Sequence, residues 1–278
     1  MHNLKPYVVE PYNVFAEAVS RKKDPALKLR LEEVSPEILS CYKLYKEHFD
    51  KNKLELLIPN PSCKKNIDDL LSLYSFRNKV IRDLKKKIDN TQLSVISNTC
   101  QNCTINSVNT MDHVLSQKKF PEFIVNPINL FPSCSECNNY KSNAFAKNGN
   151  RKFLNLYLDN LPQEQYLFVS IKRDISDDLV WNFTIENRSF IDKDLFAIIK
   201  SHYEMLNLFQ RMKITSVKYV TELANSIKVR KANLSITEIC DEVIKTSDEN
   251  RKVFGYNHFQ YILETSLVQS SDFLATIK

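Results

Sequence analysis

Hydrophobic and polar positions divide this chain of 278 residues into three stretches. The first, residues 1–95, reads as mostly helical. Ser35-Pro36-Glu37 offers an N-cap residue followed by proline at the first helical position, and predicts a helix reaching about Phe49. Pro59-Asn60-Pro61 then breaks the chain, because each proline removes a donor and disfavours helix before it. A second helical stretch is predicted from about Ile67 to Ile88. Near its end Val80, Ile81, Leu84 and Ile88 share one face, while Arg77, Lys79, Arg82, Lys85, Lys86 and Lys87 line the remainder.

The second stretch, residues 96–150, has little helical periodicity before Cys134. It is rich in Asn, Ser, Thr and Pro, as loops and a short hairpin are. In the third, residues 151–278, Gln165 to Ile171 and Leu179 to Glu186 read as two strands joined across Asp174 to Asp178. From about Asp192 the pattern is helical, with Leu195, Ile198, Ile199, Tyr203 and Leu206 at helical spacing. Ser235-Ile236-Thr237-Glu238 is a capping box that opens a further helix. The expected fold class is α+β: a mostly helical chain with a loop-rich centre and a small C-terminal β-hairpin.

Composition narrows the function classes. A hydrophobic fraction of 43% supports a buried core. No apolar run approaches the ~18 residues of a membrane span, and Met1 to Pro6 has no signal-type apolar segment. The expectation is a cytoplasmic protein with no membrane partner. Two glycines, Gly149 and Gly255, exclude glycine-rich phosphate loops. A net charge of +6 permits a phosphate-rich partner without requiring one. The basic face before Ile88 is open to two readings, a solvated surface or a contact for a DNA backbone.

Seven cysteines in a reducing compartment point to thiols or metal ligands. Cys41, Cys63 and Cys240 are isolated. The other four form two identical pairs, Cys100-x-x-Cys103 and Cys134-x-x-Cys137, which can supply four thiolates to one structural zinc ion. The 30 residues between the pairs exceed the ~15–20 of a simple ribbon, so they must carry structure of their own. Thr104 stands where such a knuckle often has glycine, which predicts local strain.

Between the pairs lies Asp112-His113, then Asn129-Leu130, and after the second pair Asn138-x-x-Lys141. In this order and spacing the residues resemble the HNH endonuclease motif, over about 50 residues. That family folds as a β-hairpin and a helix around one divalent cation, the ββα-metal or His-Me finger. The resemblance implies a central HNH module with a four-cysteine zinc site, and hydrolysis of DNA phosphodiester bonds.

The residue types suit that chemistry. A histidine near its reference pKa of ~6.5 can take a proton from water, and His113 is the candidate base. A carboxylate and an amide oxygen suit Mg²⁺ or Mn²⁺, and Asp112 and Asn138 are the candidates. Neighbours in a regular strand point to opposite faces, so Asp112 and His113 converge only if the strand ends or bends there. Asn138 and Lys141, at i and i+3, can share a helical face, with Lys141 reaching a phosphate. Lys118 and Lys119 are further phosphate contacts. By the resemblance, Asn129 holds the loop and the histidine in place and binds no metal.

Many relatives have proline three residues after the histidine, where this chain has Ser116. Phe120-Pro121-Glu122-Phe123 and Asn126 to Pro132 resemble a bacterial branch found in mobile-element and anti-phage defence loci, including Septu-type systems paired with an ATPase. This implies a defence or restriction effector acting on DNA, restrained by a regulatory partner such as a defence ATPase or by oligomer assembly through its helical ends. A non-catalytic zinc module that grips nucleic acid, and an RNase with the same site, stay open as alternatives.

Overall fold

In a computed structural model the chain forms an α+β fold, mostly helical, with three small two-stranded sheets among the described residues. The structure describes residues 1–75, 78–147 and 149–277. The chain divides into two compact units, one of Asn3–Asn102 with Asn106–Asn160, the other of Leu161–Lys278 with Met1–His2 and Cys103–Ile105. Among the described residues no helix is long and apolar enough to cross a membrane.

The first unit begins with α1 (Pro11–Ser20), α2 (Pro25–Glu33) and α3 (Ser35–Asp50). Ser35 was expected to cap α3, but Val34 links α2 to α3 in a helical conformation, φ −84°. The Ser35 hydroxyl is hydrogen-bonded to Tyr12 instead. The double proline breaks the chain as expected, and Asn60 caps α4 (Pro61–Lys65) through the Cys63 N–H at 3.0 Å. The single helix expected from Ile67 to Ile88 is two, α5 (Ile67–Leu71) and α6 (Lys79–Asn90). Asn78 restarts the helix by accepting the Val80 N–H at 3.0 Å. Phe76 and Arg77, placed in the expected helix, lie outside the described residues. A short α7 (Ser94–Ser97) follows.

The centre of the unit is an antiparallel hairpin, β1 (Thr110–His113) with β2 (Leu130–Ser133), pairing Asp112 with Phe131 and His113 with Leu130. Helix α8 (Ser135–Lys141) and the short strands β3 (Ala146–Lys147) and β4 (Asn150–Arg151) complete it. Leu84 and Ile88 of α6 form one buried cluster with Met111 and Leu130, so α6 lies directly on the hairpin. Tyr45 and Phe123 pack edge to face at 4.7 Å and anchor the loop between the strands to α3.

In the second unit β5 (Leu167–Arg173) pairs with β6 (Leu179–Ile185), close to the expected strands. Their turn is closed by Asp174, whose carboxylate accepts the N–H groups of Ser176 and Asp178. Helices α9 (Lys193–Met205), α10 (Leu208–Arg230), α11 (Ile236–Phe254), α12 (Phe259–Val268) and α13 (Ser271–Leu274) follow. Helix α9 starts where the helical pattern does, with Asp192 as its N-cap, and the Ser235–Glu238 box opens α11 as the sequence predicts. The side chain of Asn257 brackets the sheet, accepting from Tyr166 and Leu167 and donating to the Glu164 carbonyl.

His258 is buried against Phe254, Phe259 and Tyr261, with Nδ1 making no hydrogen bond. Burial lowers its pKa to about 3, with smaller contributions from the Met1 amino group and then His2. The unfolded chain therefore binds the extra proton as pH falls below ~6.5. Stability from this group is full above that value and is lost progressively from pH ~6.5 toward 3, at up to ~1.4 kcal/mol per pH unit. Thermal unfolding of His258→Phe is expected to fall less steeply between pH 6.5 and 4 than that of the parent.

Candidate active site and metal centre

The four paired cysteines converge. The sulfurs of Cys100, Cys103, Cys134 and Cys137 all lie within 4.8 Å of one another and are buried. Zn–S bonds of about 2.3 Å in a tetrahedron set sulfurs ~3.8 Å apart, so the cluster could hold a metal ion such as zinc after small adjustment. Backbone N–H groups already point at two sulfurs: Ile105 donates to Cys103 and Cys137 to Cys134, each at 3.4 Å. The Asn106 amide lies 3.8 Å from the Cys134 sulfur and also donates to Glu136 at 2.7 Å.

Thr104 has φ +57°. A β-branched residue in the left-handed region is strained by roughly 1–2 kcal/mol, as the missing glycine predicts. Asn tolerates this conformation, so Thr104→Asn is expected to stabilise the knuckle by ~1 kcal/mol. Slower metal release to a chelator, or a higher melting temperature, would register it.

The segment between the pairs builds a cleft of about 380 Å³. Its walls include Asp112, His113, Asn138 and Lys118 together with Tyr74, Ser116 and Gln117. Strand β1 ends at His113, which meets the condition for two adjacent residues to face one space. The Asp112 side chain folds back, Oδ1 accepting the His113 N–H at 2.7 Å.

His113 is 6% exposed, and its Nε2 lies 2.9 Å from the Ile124 carbonyl oxygen. A carbonyl only accepts, so Nε2 carries the proton and Nδ1 is the basic nitrogen. Burial lowers the imidazole pKa to about 4, against the pull of the Ile124 carbonyl, and Lys141 adds to the lowering. The ring is neutral near pH 7.

The loop that carries the Ile124 carbonyl is held by Asn129. Fully buried, the Asn129 amide donates to the carbonyls of Leu115 and Phe123, each at 3.1 Å. Its oxygen accepts from the Leu115 N–H at 2.8 Å and the Tyr45 hydroxyl at 3.1 Å. The loop is thus stitched at both ends beside Ile124. Glu122 ties it to α4 by accepting the Asn60 N–H at 2.9 Å.

Lys141 differs from expectation. Instead of reaching outward for a phosphate it is 4% exposed, its ammonium 3.1 Å from the Asp112 carboxylate and bonded to the His113 carbonyl. The Phe131 ring lies 5.5 Å from the same ammonium. Burial raises the Asp112 pKa, with Lys141 opposing the rise. Asp112 Oδ2 lies beside the ammonium yet accepts no hydrogen bond. Asn138, half-buried on the same helix, faces the cleft, and Lys118 is exposed at its rim. Lys119 is exposed and stands over the Phe120 ring at 5.4 Å.

Sequence reasoning missed Tyr74. Its ring meets His113 edge to face at 4.7 Å, and its hydroxyl donates to the Met111 carbonyl at 3.2 Å. Tyr74 fell inside the expected long helix, where no local signal marked it. The Ile124 carbonyl was equally invisible, since any residue type supplies one.

No protein-family model and no solved structure matches the chain. Among curated proteins it is similar to Protein ea31 of Escherichia phage lambda, 27% identical over 123 residues. That similarity covers 43% of this chain and 40% of the phage protein, so it spans less than half of either.

Proposed function

We propose that the cleft hydrolyses phosphodiester bonds of DNA, in the manner of an HNH endonuclease. The observation that carries the reading is the state of His113. Its tautomer is set by a backbone carbonyl, and its basic Nδ1 belongs to a residue lining the same cleft as Asp112 and Asn138. In this mechanism Nδ1 takes the proton of the attacking water. Asn129 acts on the histidine through the loop and touches no substrate. Tyr74, packed edge to face on the imidazole at 4.7 Å, limits rotation of the ring.

Asp112 and Asn138 would hold one Mg²⁺ or Mn²⁺. One carboxylate oxygen without a hydrogen bond and one amide on the same wall suit a hard cation. When bound, such an ion neutralises phosphate charge and assists the leaving oxygen. Lys118 at the rim suits a flanking phosphate. A defence or restriction role, and restraint by a partner protein, follow from the same reading.

The Lys141–Asp112 pair favours a second reading, in which Asp112 is structural and the module binds nucleic acid without cutting. Plasmid nicking in Mg²⁺ or Mn²⁺ separates the two. His113→Ala is expected to lower the rate by about 10²–10⁴-fold with its zinc content unchanged. Equal rates for parent and variant would remove His113 as base. Wild-type protein that binds duplex DNA and never cuts it would favour the second reading, and faster cutting of RNA than of DNA would change the substrate.

A further inference from the structure

The net charge of +6 is not spread evenly. The unit of Asn3–Asn102 and Asn106–Asn160, which contains the cleft, has 24 Lys and Arg against 17 Asp and Glu, a net of +7. The other unit has 15 against 16, a net of −1. All of the positive excess therefore belongs to the unit with the candidate active site. Such asymmetry points to a polyanionic partner for that unit.

Within it, α6 is a local concentration of this charge with a fixed relation to the cleft. Its buried edge packs on Met111 and Leu130, and Tyr74 packs against the same cluster. Tyr74 and Met111 are also walls of the cleft. The helix thus rests on the hairpin that carries Asp112 and His113, and its other edge faces solvent.

On that outer edge Lys79, Arg82 and Lys86 are exposed at i, i+3 and i+7. A face that is merely solvated can balance its charges locally, and part of α6 does: Lys79 pairs with Asp83 and Lys85 with Asp89. Among the described residues Arg82, Lys86 and Lys87 are in no ion pair. Lys79 holds the Asp83 carboxyl below its usual range, and Lys86 and Arg21 act in the same direction.

We propose that the exposed stripe of α6 carried by its unpaired cations Arg82 and Lys86 binds the phosphate backbone of duplex DNA flanking the bond in the cleft. This rests on the reading of the cleft as a DNA endonuclease site. A cleft of about 380 Å³ engages only a small part of a polymer. Affinity for duplex DNA comes largely from phosphates gripped by Lys and Arg, and such contacts fix register without reading sequence. Arg82 and Lys86 lie ~6 Å apart along the helix, while the duplex presents one charge per ~1.7 Å of its axis, so more than one phosphate falls within their reach.

The test measures binding of the full chain to a labelled DNA duplex, without added Mg²⁺ or Mn²⁺, across a salt series. The double variant R82E/K86E is expected to bind at least tenfold more weakly near 0.1 M salt. The slope of log K against log[salt] should shrink in magnitude by about 2, one ~0.9 increment per lost phosphate contact. K200E/K218E, the same charge change on exposed α9 and α10 positions, is the control and should bind nearly as the parent does. Wild-type affinity and slope for R82E/K86E overturn the proposal, as does an equal loss in the control, or a wild-type protein that does not bind DNA. Equal binding and equal sensitivity with an RNA duplex overturn the assignment to DNA. Binding that depends on Arg82 and Lys86 without any cleavage when Mg²⁺ is added supports the stripe and defeats the nuclease reading alone.

Discussion

Replacing Cys134 by Ser, or stripping metal with a chelator, is expected to lower the melting temperature by more than ~10 °C. The cost should be large because the segment around the first cysteine pair has little else to hold it. From Asn98 to Asn109 it contains no helix or extended strand; besides the cysteines it is tied by the isolated bridge of Thr99 with Ser107, by backbone bonds such as Cys100 to Asn106 at 2.9 Å, and by side-chain bonds such as Asn102 to Ser133 at 3.2 Å and Asn106 to Glu136 at 2.7 Å. Structural zinc supplies on the order of 10–16 kcal/mol in small domains, which at ~2–4 °C per kcal/mol exceeds the predicted shift several times.

The Cys134→Ser substitution is also a clean probe. Cys134 is the N-cap of α8, its sulfur accepting the Cys137 N–H, and serine is a better cap than cysteine. Loss of stability in this variant therefore reports the fourth metal ligand and not the helix start. Cys240→Ser, at a half-buried position outside the cluster, is the matched control. A parent protein that contains no metal, together with an unchanged melting temperature in Cys134→Ser, would refute the site.

The second large effect is expected at Lys141. Lys141→Met keeps the aliphatic volume and removes the cation from a carboxylate that is itself 3% exposed. Breaking a buried pair from one side costs about 3–5 kcal/mol, because the remaining charge has neither water nor partner. The double variant Lys141→Met/Asp112→Asn should recover most of that loss, since the amide has no charge to strand. Denaturant midpoints of the parent, both single variants and the double variant give the coupling directly. Added Mg²⁺ should restore part of the stability of Lys141→Met and none of the double variant. Equal response of the two to Mg²⁺ would argue against Asp112 as a cation ligand.

These two sites differ in how readable they were. The cysteine cluster was legible because two Cys-x-x-Cys pairs carry their meaning in spacing alone, and the thiols converge as expected. Helix signals were legible where they are local: the Ser235–Glu238 box acts within four residues, and the Pro59-Asn60-Pro61 break acts on its immediate neighbours. Ser35 misled because its hydroxyl found Tyr12, far along the chain, and the backbone bond it could have made was not needed where α2 runs into α3. The long helix expected from Ile67 to Ile88 failed for a related reason. Leu70, Leu73, Val80 and Ile81 are all buried, and apolar spacing does not reveal that a break between them leaves Tyr74 free to meet His113.

By itself the sequence determined the α+β class, the four-cysteine cluster and the order of residues around the cleft. Each of these depends on residue type and short-range spacing, which the chain carries directly. Only the tertiary structure decided that Lys141 turns inward to Asp112, that Tyr74 walls the histidine and that Ile124 supplies the carbonyl setting its tautomer. Those outcomes depend on which groups are deprived of water together. A buried carboxylate draws the nearest ammonium, and a buried imidazole N–H takes the nearest free carbonyl, whatever their distance in sequence.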